Sequence, residues 1–493
     1  MRTQIPRLSK SRFMAGLQCH KRLYLELYAP EITAELDETT LARFRTGTTV
    51  GELARQGFAG GRLIAHDHEH HADAEAETRA LLDDPNVPAL YEGAFSHDHV
   101  AVRADIIARQ RAKEFDLIEV KSTASWKEPH LFDLAVQLYV LEGAGMQVGR
   151  ACLMHLNRDY VYQGGAYDLE RLFTSADLTE RVRALQPDIA AALAAMRQPL
   201  WADVPPPIKT GPHCRAPYVC PFYDHCHGDG PEHPIEELPG RRAQLLQELA
   251  ELGITDIHDI PHDFDGLTIL QRRVRDAVKA GNRYHDPAIA TALAKAQFPV
   301  HFVDFETFMP ALPVFVGTRP YQVIPFQWSD HVLSVDGEVS CRDFLHDGAD
   351  DPRPRFAESL LDTVGLTGSI VVYTGYEEYC LRELEAALPE FASHLAQLRT
   401  RLFDLHPVIK THIYDPAFHG SFSIKVVLPA IVPRLGYDDL EIANGLVASL
   451  AYEELRDPNT SAERAAALRA NLLAYCRRDT EALLELFRAL RRP

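Results

Sequence analysis

The feature that most constrains the fold of this chain is a pair of short acidic segments in its C-terminal half. In the first segment, Asp304 and Glu306 stand two residues apart among apolar residues, and on a β-strand such residues point to the same face. In the second segment, Tyr475 and Asp479 are four residues apart and share one side of a helix. If strand and helix come together, three acids and a phenol meet at one place. Because crowded carboxylates repel one another unless a cation lies between them, the pattern predicts a site for Mg²⁺ or Mn²⁺.

The length of the chain and its composition indicate a multidomain globular protein. A chain of 493 residues is too long for one hydrophobic core, so we expect two or three domains. The composition, 46% hydrophobic and 25% charged, is that of an ordinary globular protein. The sequence has no apolar run of the roughly 18–20 residues that a membrane-spanning helix needs and no recognisable secretory signal. We therefore expect a cytoplasmic protein with no membrane partner.

The order of the predicted elements indicates an α/β fold in two parts. The first part has a helix, three strands, a helix and a strand, at about 40–58, 87–95, 99–108, 115–121, 130–143 and 150–156. Residues 165–200 are predicted to be helical. The second part has strands at 300–305, 321–329, 338–345 and 370–373 and helices at 377–388 and 461–490. The predicted domains are residues 1–234 and 297–493, joined by a helical connector at 235–296.

An acid and an amine stand together in the first part. Glu119-Val120-Lys121 places both on one face of a predicted strand, and Asp105 lies on the preceding strand. An isolated pattern of this kind is typical of an exposed charge pair. Here the flanking residues are apolar, the two strands are a hairpin apart, and a helix carrying Gln137 follows. This context favours a functional site.

With Glu52 on the preceding helix, these residues resemble the PD-(D/E)XK nucleases of the RecB type. The resemblance implies that Asp105 and Glu119 hold a metal ion, with Glu52 as an auxiliary ligand. It implies that Lys121 orients the attacking water or helps to deprotonate it, and steadies the phosphate charge. Gln137 would position the chain or the lysine.

Three of the eight cysteines, Cys214, Cys220 and Cys226, fall at even six-residue steps. Disulfides are disfavoured in a reducing cytosol, so such a group of thiols suggests a metal. The cysteines scattered through apolar or helical patterns are predicted to be small core residues: Cys152, Cys341, Cys380 and Cys476.

The cysteine order resembles that of iron-sulfur members of the same nuclease group, which include AddB and the nucleases of CRISPR spacer acquisition. In those proteins one cysteine precedes the nuclease core and three follow it, as Cys19 and the three later cysteines do here. The resemblance implies a [4Fe–4S] cluster that joins the two ends of the domain. The spacing here is C-x5-C-x5-C, whereas the family commonly has C-x2-C-x5-C. Structural Zn²⁺, with His213 or His225 as substitute ligands, and free thiols are therefore the alternatives.

The C-terminal part resembles the DEDD exonucleases of the RNase H-like fold. Asp304 and Glu306 match the first motif of that family, and Tyr475-x-x-x-Asp479 matches the third in its tyrosine variety. At the second motif Glu377 stands where the family has an Asp, and Asp404 is the fallback. The resemblance implies that these acids hold two cations and that Tyr475 hydrogen-bonds the attacking water. The alternative is an RNase H-like core with incidental acids. We expect Lys425 to be a solvated surface lysine, with a phosphate contact as the alternative.

Taken together, the two resemblances span most of the chain and match a bacterial family that pairs a RecB-like domain with a DEDD domain. They imply a metal-dependent DNA nuclease with a RecB-like site and a 3′–5′ exonuclease site, acting on single-stranded DNA or free ends in repair or defence. The net charge of −19 does not exclude a polyanionic partner, because such a site must itself be acidic. The alternatives are a nucleic-acid-binding scaffold subunit with degenerate sites and an RNA exonuclease.

Overall fold

The computed structural model of the protein describes residues 6–491 except 34–36, 67–69, 112, 229 and 241–242. The chain divides into two compact units, of which the first comprises Met1–Asp229 and Pro310–Gln322 and the second comprises Gly230–Met309 and Val323–Pro493. Both units combine helices with a mixed sheet, which confirms the α/β class. In the described part of the chain, no helix combines the length and apolar character that crossing a bilayer requires.

The first unit is built on one mixed sheet with the strand order β2-β3-β4-β5-β6-β7, and β1 pairs with β4. The strands are β1 Leu8–Ser9, β2 Arg62–Leu63, β3 Ala89–His97, β4 Val100–Arg111, β5 Glu114–Lys121, β6 Gln147–Leu156 and β7 Phe173–Asp177. The helices are α1 Lys10–Gln18, α2 His20–Tyr28, α3 Glu38–Arg55, α4 His71–Asp83, α5 Glu128–Gly143, α6 Leu169–Leu172, α7 Thr179–Ala184, α8 Gln186–Leu200 and α9 Tyr223–His227.

Helix α5 joins the parallel strands β5 and β6 and is apolar on nearly all sides. Such a helix must be buried, and its apolar residues between Leu131 and Leu141 lie in the core of the first unit. The helix ends at Gly143, and Gly145 follows with φ +89°. That left-handed conformation favours glycine and lets the Met146 amide bond the Leu141 carbonyl at 3.0 Å. The turn sends the chain directly into β6.

Strand β7 lies within residues 165–200, and the prediction that this whole segment is helical is wrong there. Residues Phe173–Asp177 pair antiparallel with β6, from Leu156↔Phe173 to Cys152↔Asp177. The segment is short and lacks an alternating apolar pattern, so nothing local marks it as a strand. Its conformation comes from pairing with the edge of a sheet that is distant in sequence.

The second unit contains a five-stranded sheet with the order β11-β10-β9-β12-β13 and a separate pair, β14-β8. The strands are β8 Tyr284–His285, β9 Val300–Phe308, β10 Ile324–Leu333, β11 Val339–Leu345, β12 Ser369–Val372, β13 Leu402–Asp404 and β14 Ile413–Tyr414. The helices are α10 Ala243–Glu251, α11 Ile269–Ala280, α12 Ile289–Leu293, α13 Arg353–Val364, α14 Tyr376–Ala387, α15 Ala392–Arg399, α16 Leu405–His412, α17 Ile424–Ile431, α18 Gly445–Leu455 and α19 Ala462–Arg491.

Strand β9 lies at the centre of that sheet, antiparallel to β10 and parallel to β12. The long helix α19 packs against β9 and β10. This arrangement places helix side chains over the middle of the central strand, where Asp304 and Glu306 lie.

Residues 235–296 share a core with the second unit. Ile257, Val274 and Ile289 are buried in one cluster with Val300 and Phe302 of β9. The segment predicted to be a helical connector therefore packs as part of this unit.

Candidate functional sites

Four carboxylates meet in the second unit, and we call them the acid cluster: Asp304, Glu306, Glu377 and Asp479. Strand β9 supplies the first two, the first turn of α14 supplies Glu377, and α19 supplies Asp479. Glu306, Glu377 and Asp479 are only 5%, 3% and 7% exposed, and Asp304 is half-buried. Alternation along β9 explains why Asp304 and Glu306 lie on one face.

Burial raises the pKa of every member of the acid cluster, and repulsion from neighbouring acids adds to this effect at Asp304, Glu306 and Glu377. Burial raises the pKa of Glu377 to about 8, with further contributions from Asp404 and Asp479. Burial also raises the pKa of Asp479 to about 6, against hydrogen bonds and a lysine that lower it. The pKa values of Asp304 and Glu306 are raised well above the usual range by burial and then by Asp479. The fold therefore gathers more acidic groups here than its own cations can offset, and without a metal ion these groups keep their protons to a higher pH than free carboxyls do.

Tyr475 lies beside the acid cluster and links it to a lysine. Lys425 donates a hydrogen bond to the Tyr475 hydroxyl at 3.0 Å, and Tyr475 in turn lowers the pKa of Asp479. Burial, and then Asp479, hold the pKa of Tyr475 well above its ordinary value, so the phenol stays protonated. Lys425 is half-buried, so the prediction of a solvated surface lysine is wrong. Lys425 lies in the first turn of α17, which begins at Ile424, and the chain returns to the site at this point.

Two residues of this site carry no signal in the sequence. Tyr437, in the loop after α17, donates a hydrogen bond to Asp479 Oδ1 at 2.6 Å. Cys476 was predicted to be a core residue and is fully buried, but its Sγ lies 3.9 Å from Asp304 Oδ2. Burial and the neighbouring acids raise the pKa of this thiol, which keeps it protonated.

Asp404, the alternative candidate for the second motif, forms hydrogen bonds with backbone amides. Its Oδ1 accepts hydrogen bonds from the amides of His406 and Thr374, both at 2.9 Å. The first bond caps α16. The second holds Thr374, whose φ of +76° is unfavourable for a β-branched residue. Asp404 thus shapes the turn that precedes Glu377.

The donor set of the acid cluster fits a hard divalent cation. Asp304, Glu306 and Cys476 each place one donor atom within 4.8 Å of the others. Asp479 is outside that group, since its carboxylate is turned toward Tyr437. Among the described residues, Glu377 Oε2 is buried without a hydrogen-bond partner. Carboxylate oxygens are what Mg²⁺ and Mn²⁺ prefer, and a protonated thiol is not.

The first unit brings together Asp105, Glu119, Lys121 and Gln137. Asp105 on β4 accepts a hydrogen bond from the Val120 amide of β5 at 2.7 Å. Lys121 Nζ lies 2.6 Å from Glu119 Oε1, and Gln137 Nε2 donates to Glu119 Oε2 at 2.7 Å. The predicted residues of this site, Glu52 excepted, therefore form one network.

Two charged residues that the sequence did not indicate complete this network. Lys10, at the start of α1, lies 2.8 Å from Glu119 Oε1. Asp133 on α5 pairs with Lys121 and, at 3.4 Å, with Lys10. Burial raises the pKa of Glu119, but Lys10 and Lys121 outweigh it and hold that pKa well below the ordinary range. Burial and Glu119 raise the pKa of Asp105 to about 7.

The donor set here fits a cation only in part. Glu119 is already neutralised by two ammonium groups, whereas Asp105 carries a raised pKa that a cation would lower. Glu52 is exposed on α3, and no hydrogen bond or ion pair found in the described residues links it to Asp105 or Glu119. The structure does not bring the predicted auxiliary ligand into the network.

All four cysteines of the predicted cluster line one cavity: Cys19, Cys214, Cys220 and Cys226. The Cys220 amide bonds the Cys214 carbonyl at 2.8 Å, which closes the loop between them. A single zinc ion holds its sulfurs about 3.8 Å apart, given a zinc–sulfur distance near 2.3 Å. Among the described residues, no three of these sulfurs lie within 4.8 Å of one another. His213 lines the cavity with Nε2 3.6 Å from Cys214 Sγ, whereas His225 is not part of the lining.

Comparison with known proteins finds one family. A family model described as a domain of unknown function, DUF2779, matches residues 301–423. The match includes Asp304, Glu306 and Glu377 and ends before Lys425 and Asp479. No curated protein matches the chain.

Proposed function

We propose that the protein is a metal-dependent DNA nuclease with two phosphodiester-hydrolysing sites, and that the acid cluster is its 3′–5′ exonuclease site. The observation that carries this proposal is the convergence of four buried or half-buried carboxylates whose pKa values are all raised. Charge of this kind is costly unless the site works with a cation.

At the acid cluster, Asp304, Glu306 and Asp479 would hold Mg²⁺ or Mn²⁺, with Glu377 as the fourth acid. When bound, the cations lower the pKa of a water molecule and neutralise charge on the scissile phosphate. Tyr475 stays protonated and can donate a hydrogen bond that orients the attacking water. Lys425 adds positive charge beside the phosphate.

In the first unit, Asp105 and Glu119 would hold the cation of a RecB-like site. Lys121 lies close enough to Glu119 to orient a water molecule and to steady the negative charge that develops on phosphate. Gln137 fixes the Glu119 carboxylate through its amide. The two lysines on Glu119 make this the weaker cation site of the two.

The four cysteines would hold a [4Fe–4S] cluster that joins the start of the first unit to the segment after α8. The support is their shared cavity and their number, since four thiolates can hold such a cluster. The alternative is structural Zn²⁺ with His213 as a substitute ligand. None of the eight cysteines is paired in a disulfide, as is expected of a protein in a reducing compartment such as the cytoplasm.

The experiment that tests the proposal compares D304A, D105A and the unchanged protein on 3′- and 5′-labelled single-stranded DNA with Mn²⁺. D304A removes stepwise loss from the 3′ end, and adding D105A to D304A removes any activity that remains. D336A, an exposed acid in the turn after β10, is the matched control and keeps both. Intact substrate with the unchanged protein across metals, on DNA and RNA alike, contradicts the proposal. Competition between matched DNA and RNA oligomers decides the preferred sugar.

A second candidate function is a nucleic-acid-binding subunit in which the first site is degenerate. The pairing of Glu119 with both Lys10 and Lys121 favours it, since those ammonium groups occupy the place of a cation. Under this reading D105A leaves all cleavage unchanged and only D304A affects it.

A further inference from the structure

The second unit carries a group of metal-binding side chains that belongs to neither acidic site. His233 and Glu237 lie just before and at the end of a short 3₁₀-helix, Ile235–Glu237. His419 follows another 3₁₀-helix, Pro416–Phe418. One donor atom from each of the three residues lies within 4.8 Å of the others.

Each oxygen of the Glu237 carboxylate faces one imidazole. His233 Nδ1 lies 3.3 Å from Oε2, and His419 Nδ1 lies 3.1 Å from Oε1. The two imidazole rings stack with their centroids 5.0 Å apart and an interplanar angle of 25°. Both rings therefore turn a nitrogen toward the same carboxylate.

These separations agree with a tetrahedral zinc site. Zinc binds nitrogen and oxygen at about 2.0–2.1 Å, which puts neighbouring ligand atoms about 3.3 Å apart. Two histidines and a glutamate are a known ligand set for zinc that leaves the fourth position to water. The side chains of His233 and Glu237 are 13% and 16% exposed and that of His419 is 52% exposed. A cation can reach the group from the His419 side.

The backbone brings these groups together at close range. Gly420 has φ +72°, and a Cβ placed there would lie 1.7 Å from the Glu237 carbonyl oxygen, so only glycine fits. His419 itself has φ +45° and ψ +43°, the left-handed region that non-glycine residues rarely adopt. The backbone conformation at His419 and Gly420 therefore brings His419 close to Glu237, and this proximity does not depend on flexible side chains.

We propose that His233, Glu237 and His419 form a Zn²⁺ site that fastens the 233–237 segment to the 416–420 segment of the same unit. The two segments are 182 residues apart in the chain, counted from Glu237 to His419. A metal bond across that separation stabilises the folded state because the unfolded chain holds no preformed site.

Zinc stoichiometry of the full chain tests this site. Each protein is stripped with EDTA and dialysed against micromolar Zn²⁺, and the bound metal is counted. H419A binds one equivalent less than the unchanged protein, or binds the last equivalent at least about 100-fold more weakly, since losing even an outer partner of a ligand costs about 10–100-fold. H258A, which removes an exposed histidine of the same unit, binds as much as the unchanged protein.

Two further measurements keep the test decisive. E237Q preserves size and removes the carboxylate, and it shows the same loss of one equivalent even if H419A folds poorly. With Co²⁺ in place of zinc, the absorption lost in E237Q carries no thiolate charge-transfer band, which separates this site from the cysteines. Equal stoichiometry in all four proteins, or a last equivalent that binds only at millimolar zinc, overturns the proposal and leaves a hydrogen-bonded triad.

Discussion

The ammonium group of Lys425 donates a hydrogen bond to the Tyr475 hydroxyl at 3.0 Å and lies 5.0 Å from the centre of the same ring. It also bonds the carbonyl of Ala443. This lysine lowers the pKa values of Glu306 and Asp479 and is the cation that faces the acid cluster most directly in the described part of the chain. It therefore both orients the phenol and offsets charge.

K425M is expected to lower exonuclease turnover about 100-fold, because a preorganised positive charge near phosphate is lost. Its loss also raises the pKa values of Glu306 and Asp479, so the acidic limb of the pH–rate profile moves to higher pH. Steady-state rates between pH 5.5 and 9 measure both effects. K295M, which changes an exposed lysine of the same unit, is the control. An unshifted profile with normal turnover contradicts this role.

Stability without metal is expected to fall as pH rises from about 5 to 8. The folded-state pKa values of Glu377, about 8, and Asp479, about 6, exceed their ordinary values of 4.5 and 3.8. The folded protein therefore binds more protons than the unfolded chain in this range, and the free energy of unfolding decreases with pH. Melting temperatures in EDTA measure the fall, and Mn²⁺ reverses it.

E377Q isolates the contribution of Glu377 to that pH dependence. Folding buries the Glu377 carboxyl, which must then either take up a proton or remain charged in a buried place, and both cost free energy. The substitution removes this cost, so it raises the melting temperature in EDTA. The gain is larger at pH 8.5 than at pH 5.5, because the cost rises up to a pH of about 8. An equal gain at both pH values would show that Glu377 is not titrating with a raised pKa.

T374N is expected to stabilise the protein by about 1 kcal/mol, since asparagine tolerates the left-handed conformation better than a β-branched residue does. The side chain of Thr374 is exposed and its amide bond to Asp404 is retained. Denaturant unfolding measures the change. T374V keeps the β-branch and the strain, so it shows no gain; equal stability of both variants would locate the cause elsewhere.

K10M tests the charge balance of the first unit. The substitution leaves Glu119 with Lys121 and Gln137 as partners and is expected to cost about 1–3 kcal/mol in EDTA. Loss of one ammonium group also strengthens cation binding at Asp105 and Glu119, so Mn²⁺ recovers more stability in K10M than in the unchanged protein. Urea unfolding with and without Mn²⁺ measures both. K113M, which changes an exposed lysine between β4 and β5 outside this network, is the control.

C220S is expected to abolish the brown colour and bound iron of protein purified without oxygen, because one of four thiolates is lost. Absorbance near 400 nm and iron content measure the loss. C341S keeps both, because Cys341, which was wrongly predicted to be a core residue, is exposed and lies outside the cavity. If the unchanged protein is colourless and contains stoichiometric zinc, the four cysteines form a zinc site and not an iron-sulfur cluster.

Periodicity along a single element allowed part of the candidate sites to be predicted. Alternation placed Asp304 and Glu306 on one face, and helical spacing placed Tyr475 and Asp479 together. The structure brings all four to one location because β9 and α19 each keep a regular period. Hairpin pairing likewise explains why Asp105 could be associated with Glu119.

Other residues could not be predicted because their roles arise between elements. Lys10 reaches Glu119 across 109 residues of sequence, and Tyr437 reaches Asp479 from an irregular loop. Lys425 was predicted to be a solvated lysine, because no neighbouring residue in the sequence indicates that Tyr475 of α19 lies beside it. Glu52 was predicted to be an auxiliary metal ligand because its position in the sequence suited the motif. In the structure it is exposed on α3 and lies outside the network.

The sequence by itself determined the elements with a strong period, the faces on which their acids lie, and the even spacing of Cys214, Cys220 and Cys226. Only the tertiary structure decided which cations reach those acids, where β7 pairs, and that 235–296 packs with the second unit. The physical reason is that periodicity is a property of neighbouring residues, whereas burial, charge pairing and pKa depend on atoms brought close from distant parts of the chain.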